Sequence, residues 1–168
     1  MAPMKVNGKP MRTIWPVANA RAVEIIDQTA LPHAYRVVRL SSLDDAVRAI
    51  CTMQVRGAPL IGVTAAYGLA LALARSAEDM LLHDAVRALA ATRPTAVNLH
   101  WALLRMQTCL RPLPPSERAD TAWREADRIA EEDVGQCRRI GEHGLQLLLA
   151  TARDRSRLDL MTHCNAGW

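Results

Sequence analysis

Phenylalanine is absent from the 168 residues, and aromatic residues make up only 4%. A core of ordinary size must then be filled by Leu, Ile, Val, Ala and Met. That composition suits packed helices better than a β-sandwich, where aromatic and β-branched side chains dominate. Lysine occurs only at Lys5 and Lys9, so nearly all positive charge is arginine. No basic tract is present; the arginines interleave with Asp and Glu. The net charge of +4 therefore reads as solvated surface, and no nucleic-acid partner is expected. The four cysteines, Cys51, Cys109, Cys137 and Cys164, lie far apart with no C-x-x-C and no paired histidines. Neither a zinc site nor a disulfide framework fits that spacing, and reduced thiols in a cytoplasm do. The longest apolar stretch, 59–74, is interrupted by Gly62, Thr64, Tyr67 and Gly68 and falls short of a membrane span. Residues 1–10 lack the apolar segment of a signal peptide. A soluble, cytoplasmic protein with no membrane partner is expected.

What is present is enough for a core: 50% of the residues are hydrophobic and 23% are charged. Residues 1–10 are expected to be a flexible N-terminus. Three β-prone segments follow, 11–15, 22–26 and 35–40, separated by turn formers such as Pro16, Asn19, Asp27 and Pro32; they predict a small antiparallel meander. Ser42 is placed to cap a helix over 43–54, with apolar residues Leu43, Ala46, Val47, Ile50 and Met53 on one side. Pro59 suits the first position of the next helix, to about Arg75, which is apolar nearly all round and so should be deeply buried. Further helices are predicted over 79–90 and over 95–110, with Thr95 as cap. A long one over 116–150 has Ser116 as cap. Its inward stripe is Ala126, Ala130, Val134, Cys137, Gly141, Gly144 and Leu148, mostly small residues that permit close approach. Residues 151–157 read as a charged connector and 158–163 as a fully buried strand. The fold class is thus α+β over 11–150, a β-meander plus helical bundle. Residues 151–168 would be the linker and first strand of a truncated α/β domain.

Three segments combine a small-residue turn with a polar or charged group. In the first, Arg56-Gly57-Ala58-Pro59, Gly57 and Ala58 let a ligand approach the backbone, and the helix start favours an anion that Arg56 can also bind. The plain alternative is a helix–helix turn. In the second, Thr92-Arg93-Pro94-Thr95, a positive side chain again precedes a helix start, an unfavourable placement unless an anion lies nearby. A planar guanidinium matches phosphate oxygens, so a phosphorylated small molecule fits both turns. The third, Thr162-His163-Cys164-Asn165-Ala166-Gly167, places a thiol where a strand should end, the position at which α/β proteins bind ligands. Strand neighbours point to opposite faces, so no Cys–His dyad is implied. The alternative for Cys164 is a small buried hydrophobe.

Together with Ile61-Gly62, Ala65-Ala66-Tyr67-Gly68, Ala96-Val97-Asn98-Leu99 and Arg138-Arg139-Ile140-Gly141-Glu142-His143-Gly144, these segments resemble the methylthioribose-1-phosphate isomerase family. Arg12-Thr13-Ile14-Trp15 and the stretch from Asp27-Gln28-Thr29 to Leu31-Pro32-His33 carry the same likeness. That family is related to the regulatory subunits of initiation factor 2B and to ribose-1,5-bisphosphate isomerase. The resemblance implies a β-meander and helical domain followed by a Rossmann-like domain, a homodimer, and no metal or nucleotide cofactor. It implies an aldose–ketose isomerase of methionine salvage that interconverts 5-methylthioribose 1-phosphate and 5-methylthioribulose 1-phosphate. Arg56, Gly57, Ala58 and Arg93 would bind substrate, and Cys164 would be the catalytic cysteine that stabilises the transition state. The family's general acid, an aspartate, lies beyond Trp168. On this reading the chain is the front part of a larger protein, cut inside its active site, and by itself inactive. Two other readings remain open: a non-catalytic ligand sensor of the initiation factor 2B type, and a ribose-1,5-bisphosphate isomerase.

Overall fold

The computed structural model describes residues 5–152 and 157–163. Two strands, β1 (Lys5–Val6) and β2 (Lys9–Pro10), pair antiparallel around Asn7 and Gly8, whose φ angles are 50° and 79°. Asn-Gly is the dipeptide favoured by two-residue hairpins, because both central residues need positive φ. Part of the expected flexible N-terminus, residues 5–10, is therefore a hairpin.

The expected meander is present: β3 (Ile14–Pro16), β4 (Val23–Ile26) and β5 (Val37–Leu40) form an antiparallel sheet in the order β3-β4-β5. Its register sets Ile14 opposite Ile25 and Val23 opposite Leu40, all four buried. These residues join one core with the helices.

Among the described residues five helices follow: α1 (Leu43–Cys51), α2 (Ala58–Leu73), α3 (Asp79–Thr92), α4 (Val97–Leu110) and α5 (Pro115–Ala152). Ser42 caps α1 as expected, its hydroxyl accepting from the Asp45 N–H at 3.1 Å. The helix stops at Cys51 rather than 54 because Met53 turns into the left-handed region, φ 62°. Every residue from Leu60 to Leu73 is buried, and α2 packs against each of the other four helices. Close packing depends on its glycines: a Cβ at Gly62 would lie 2.8 Å from the Asn98 carbonyl oxygen, and one at Gly68 2.7 Å from Ala46 Cβ. The two polar residues of α2 are satisfied internally. Thr64 donates to the Leu60 carbonyl at 2.7 Å, and the Tyr67 hydroxyl donates to Asp127 at 2.7 Å.

Helix starts depart from the expected caps. Thr95 is not the cap of α4, which starts at Val97 after Ala96 with no side-chain hydrogen bond. Ser116 lies inside α5, which opens at Pro115, a residue whose missing N–H costs nothing in a first turn. The α3, α4 and α5 ends are held by Arg118, nearly fully buried. It donates to the carbonyls of Leu110, Leu113 and Ala77 and pairs with Asp79 at 2.6 Å.

Helix α5 differs most from expectation. Its first half packs through Ala122, Glu125, Ala126 and Ile129, and it is tied to the sheet region by Arg12–Glu131 and Arg21–Asp120 ion pairs. Beyond that the expected inward stripe fails. Of that stripe, Val134 and Cys137 are exposed and Gly144 has nothing within 4 Å of a Cβ, while off the stripe Ile140 and Leu147 are 64% and 71% exposed. The reason is length. The 38 residues of α5 extend about 57 Å, whereas the 16 of α2 extend about 24 Å, so the core cannot cover both halves.

The predicted strand over 158–163 is also not present. These residues form no strand, and Leu160 and Met161 are 71% and 100% exposed. A buried parallel strand needs neighbours for its N–H and C=O groups. Among the described residues none is placed to pair with it. No described helix is long and apolar enough to cross a membrane.

Candidate functional site

The α1–α2 turn and the α3–α4 turn meet at one end of the bundle. Cys51, the last residue of α1, places its sulfur 4.0 Å from the Thr92 carbonyl at the end of α3. One turn further on, Gly62 of α2 abuts the Asn98 backbone of α4. The helix starts that follow Arg56 and Arg93 are therefore side by side.

Their local chemistry is alike. Gly57 precedes α2 with φ 89° and ψ 134°, a conformation that strains any residue with a Cβ. Neither α2 nor α4 has a side-chain cap, and neither carries an acidic residue in its first turn. The free N–H groups and positive ends of both dipoles thus lack the negative partner that helix starts ordinarily acquire. Arg56 is half-buried and donates through Nη2 to the Gln28 carbonyl at 3.1 Å. Arg93 is half-buried at the end of α3, and among the described residues no carboxylate pairs with it. Behind it, His100 Nε2 donates to the Pro94 carbonyl at 2.8 Å, which holds the turn against α4. Ala58 and Pro59 are exposed, so the backbone of the first turn of α2 is open to a ligand.

A cavity of about 480 Å³ adjoins these starts. Pro59 and Gly62 of α2, Asn98 and Trp101 of α4, and Asp133 and Cys137 of α5 are among its walls. Burial pushes the Asp133 carboxyl above the usual carboxylate range. The Cys137 thiol, on a residue otherwise exposed, is pushed up as well, first by partial loss of water at the cavity wall and then by Asp133. A thiol shifted in that direction is a poor nucleophile. Cys137, expected to face the helical core, is a wall residue at the overhang of α5. A second, shallower hollow lies between Trp101 and Arg128. Its base is Arg105, ion-paired with Glu125 and Glu132, both of which raise its pKa.

Of the predicted site residues, Arg56, Gly57, Ala58 and Arg93 are brought to one end of the molecule. Cys164 lies outside the described residues. Sequence reasoning assigned no role to the residues behind Arg56. Asp27 and Gln28 are both 2% exposed and reach the α1–α2 turn from the end of β4. The one available signal was the Asp27-Gln28-Thr29 turn after an apolar strand, with an Asp that bonds its own backbone two residues on.

Comparison with known proteins agrees with this architecture. The family model described as the initiation factor 2 subunit family matches residues 54–168. A methylthioribose-1-phosphate isomerase of Methylobacterium nodulans is 58% identical over 165 residues, covering 98% of this chain and 45% of the relative. That of Dechloromonas aromatica is 59% identical over 167 residues, covering 98% and 46%. The chain thus spans just under half the length of these curated relatives. Among solved structures, 5-methylthioribose 1-phosphate isomerase from Pyrococcus horikoshii aligns with TM-score 0.67 and 37% identity, over 73% of this chain and 36% of that one. The translation initiation factor eIF-2B subunit delta from A. fulgidus aligns with TM-score 0.72 and 35% identity, over 82% and 42%. The chain belongs to the initiation factor 2 subunit family.

Proposed function

We propose that the protein is an isomerase interconverting 5-methylthioribose 1-phosphate and 5-methylthioribulose 1-phosphate. The observation that carries this reading is the pair of adjacent, uncapped helix starts, α2 and α4, each preceded by an arginine. Such a pair is suited to a phosphate dianion, which needs several N–H donors and a planar cation at once. The relatives' names supply the sugar phosphate.

In the substrate the phosphate on the C1 oxygen holds the sugar ring closed. Isomerisation breaks the bond between C1 and the ring oxygen, which takes up a proton. Hydrogen passes from C2 to C1, and the C2 hydroxyl loses its proton as it becomes the carbonyl. Atoms balance with no external oxidant. Charge develops on sugar oxygens along this path, so fixed donors in a site closed to water lower the barrier. Arg56, Gly57, Ala58 and Arg93 anchor the phosphate and thereby orient C1 and C2. The catalytic role that the resemblance implies for Cys164, and a general acid supplied by a Rossmann-like domain, belong to this proposal. The homodimer implied by the resemblance and the cytoplasmic location expected from the scattered thiols belong to the same reading.

The test is turnover of methylthioribose 1-phosphate by the full-length protein. Arg56→Ala and Arg93→Ala should each lower kcat/KM by about 10- to 200-fold, the worth of a charge-assisted hydrogen bond to an ionised ligand. Unchanged kinetics in both variants would remove the site. The alignment with an initiation factor 2B subunit favours one second reading, a non-catalytic sensor of a phosphorylated ligand. Wild-type protein that binds the sugar phosphate without isomerising it would establish that reading instead.

A further inference from the structure

The α1–α2 turn is gripped from behind by the end of β4. Asp27 is almost fully buried, and its two carboxylate oxygens divide their work. Oδ1 accepts from the Thr29 N–H at 3.0 Å and the Thr29 hydroxyl at 2.6 Å. Oδ2 accepts from Gln54 Nε2 at 3.5 Å, with the guanidinium of Arg36, the residue before β5, at 3.8 Å. The main chain reinforces this link: the Gln28 N–H donates to the Gln54 carbonyl at 2.9 Å, and Arg56 Nη2 donates to the Gln28 carbonyl at 3.1 Å. These bonds fall on residues 54 and 56, immediately before Gly57 enters the left-handed region. Gly57 has no side chain to hold that conformation, so its flanks must.

We infer that the pair formed by buried Asp27 and half-buried Gln54 is the positioning device of the anion-binding turn: it fixes Arg56 and Gly57 at the start of α2 without touching substrate. The inference rests on the phosphate site proposed above and names what orients it. Thr29 fixes the carboxylate, the carboxylate fixes the Gln54 side chain, and Gln54 fixes the backbone that carries the guanidinium. A guanidinium held in place forms its bidentate contact with little loss of rotamer freedom.

The test titrates inorganic phosphate into full-length wild type, Gln54→Leu and Gln54→Glu, and measures kcat and KM for methylthioribose 1-phosphate in the same proteins. Gln54→Leu keeps the volume and removes the donor. Phosphate Kd and KM should rise together by about fivefold to tenfold, the worth of one hydrogen bond, while kcat stays within about twofold. Gln54→Glu donates to Asp27 only while protonated; ionised, it repels it. Its Kd relative to wild type should therefore be smallest at the acid end of the range in which the protein stays folded and climb as pH rises through the carboxyl range, with the near-UV spectrum unchanged. A general loss of fold would not give that pH-dependent ratio. A Gln54→Leu Kd within twofold of wild type, or a flat ratio in folded Gln54→Glu, overturns the inference. If Gln54→Leu does not fold, the Gln54→Glu ratio decides alone. Wild type that binds phosphate but does not isomerise removes the isomerase reading and leaves the Kd series decisive. Wild type that binds no phosphate overturns both.

Discussion

Asp133 is a residue whose position works against stability. It lies half-buried on α5 beside the cavity, and loss of water raises its carboxyl pKa. A raised folded-state pKa means the folded protein holds its proton more tightly than the unfolded chain does. Stability from this group therefore falls as pH rises from the ordinary carboxylate value through the raised one. Asp133→Asn should raise the melting temperature at about pH 7 and lose that gain at about pH 3, where both states are protonated. Thermal melts of both proteins across that interval check the sign. The opposite case is Glu131, lowered by its hydrogen bond to Arg12. Both side chains are exposed, so screening leaves that pair little weight. None of these environments was legible in the sequence. Asp133 is one acid among many on a helix, and only the fold sets it in the wall of a cavity shared with α2 and α4.

At the scale of elements, helix existence was legible and helix ends were not. Periodic apolar residues mark α1, α3 and α4, and an apolar surface on all sides marks α2 as the central helix. Ends depend on single backbone residues and on neighbours: Met53 stops α1, and Ala96 rather than Thr95 precedes α4. The joint between elements most exposed to loss is Arg118, which no sequence pattern distinguishes from the other arginines. It satisfies three carbonyls at the ends of α3 and α4 from inside the fold. Arg118→Ala should lower the unfolding free energy by about 2–4 kcal/mol, because it strands buried acceptors and opens a void. Denaturant unfolding gives that number. A loss below about 0.5 kcal/mol would mean water replaces the guanidinium at no cost.

At the scale of the whole molecule, stability divides along α5. Residues up to Ile129 are part of the single core; beyond Val134 the helix overhangs it with apolar side chains exposed. A helix segment without tertiary packing is only marginally stable. Amide hydrogen exchange should be fast from about residue 135 to 152 and slow from 118 to 130; uniform protection along α5 would show that its outer half is covered in solution. The candidate site belongs to this scale too. Arg56, Gly57, Ala58 and Arg93 stand in short turns with a positive charge and small residues before a helix, a local pattern that left an ordinary turn open; the resemblance is what named them as candidates. What the sequence alone determined was thus local: the meander, the presence of the helices, the buried character of α2, and the two arginine-bearing turns. Only the tertiary structure decided that these turns lie side by side, that Asp27 reaches Gln54 across 27 positions, and that half of α5 finds no core. Each of these depends on contacts between residues distant in the chain, and periodicity along the backbone carries no information about which faces will meet.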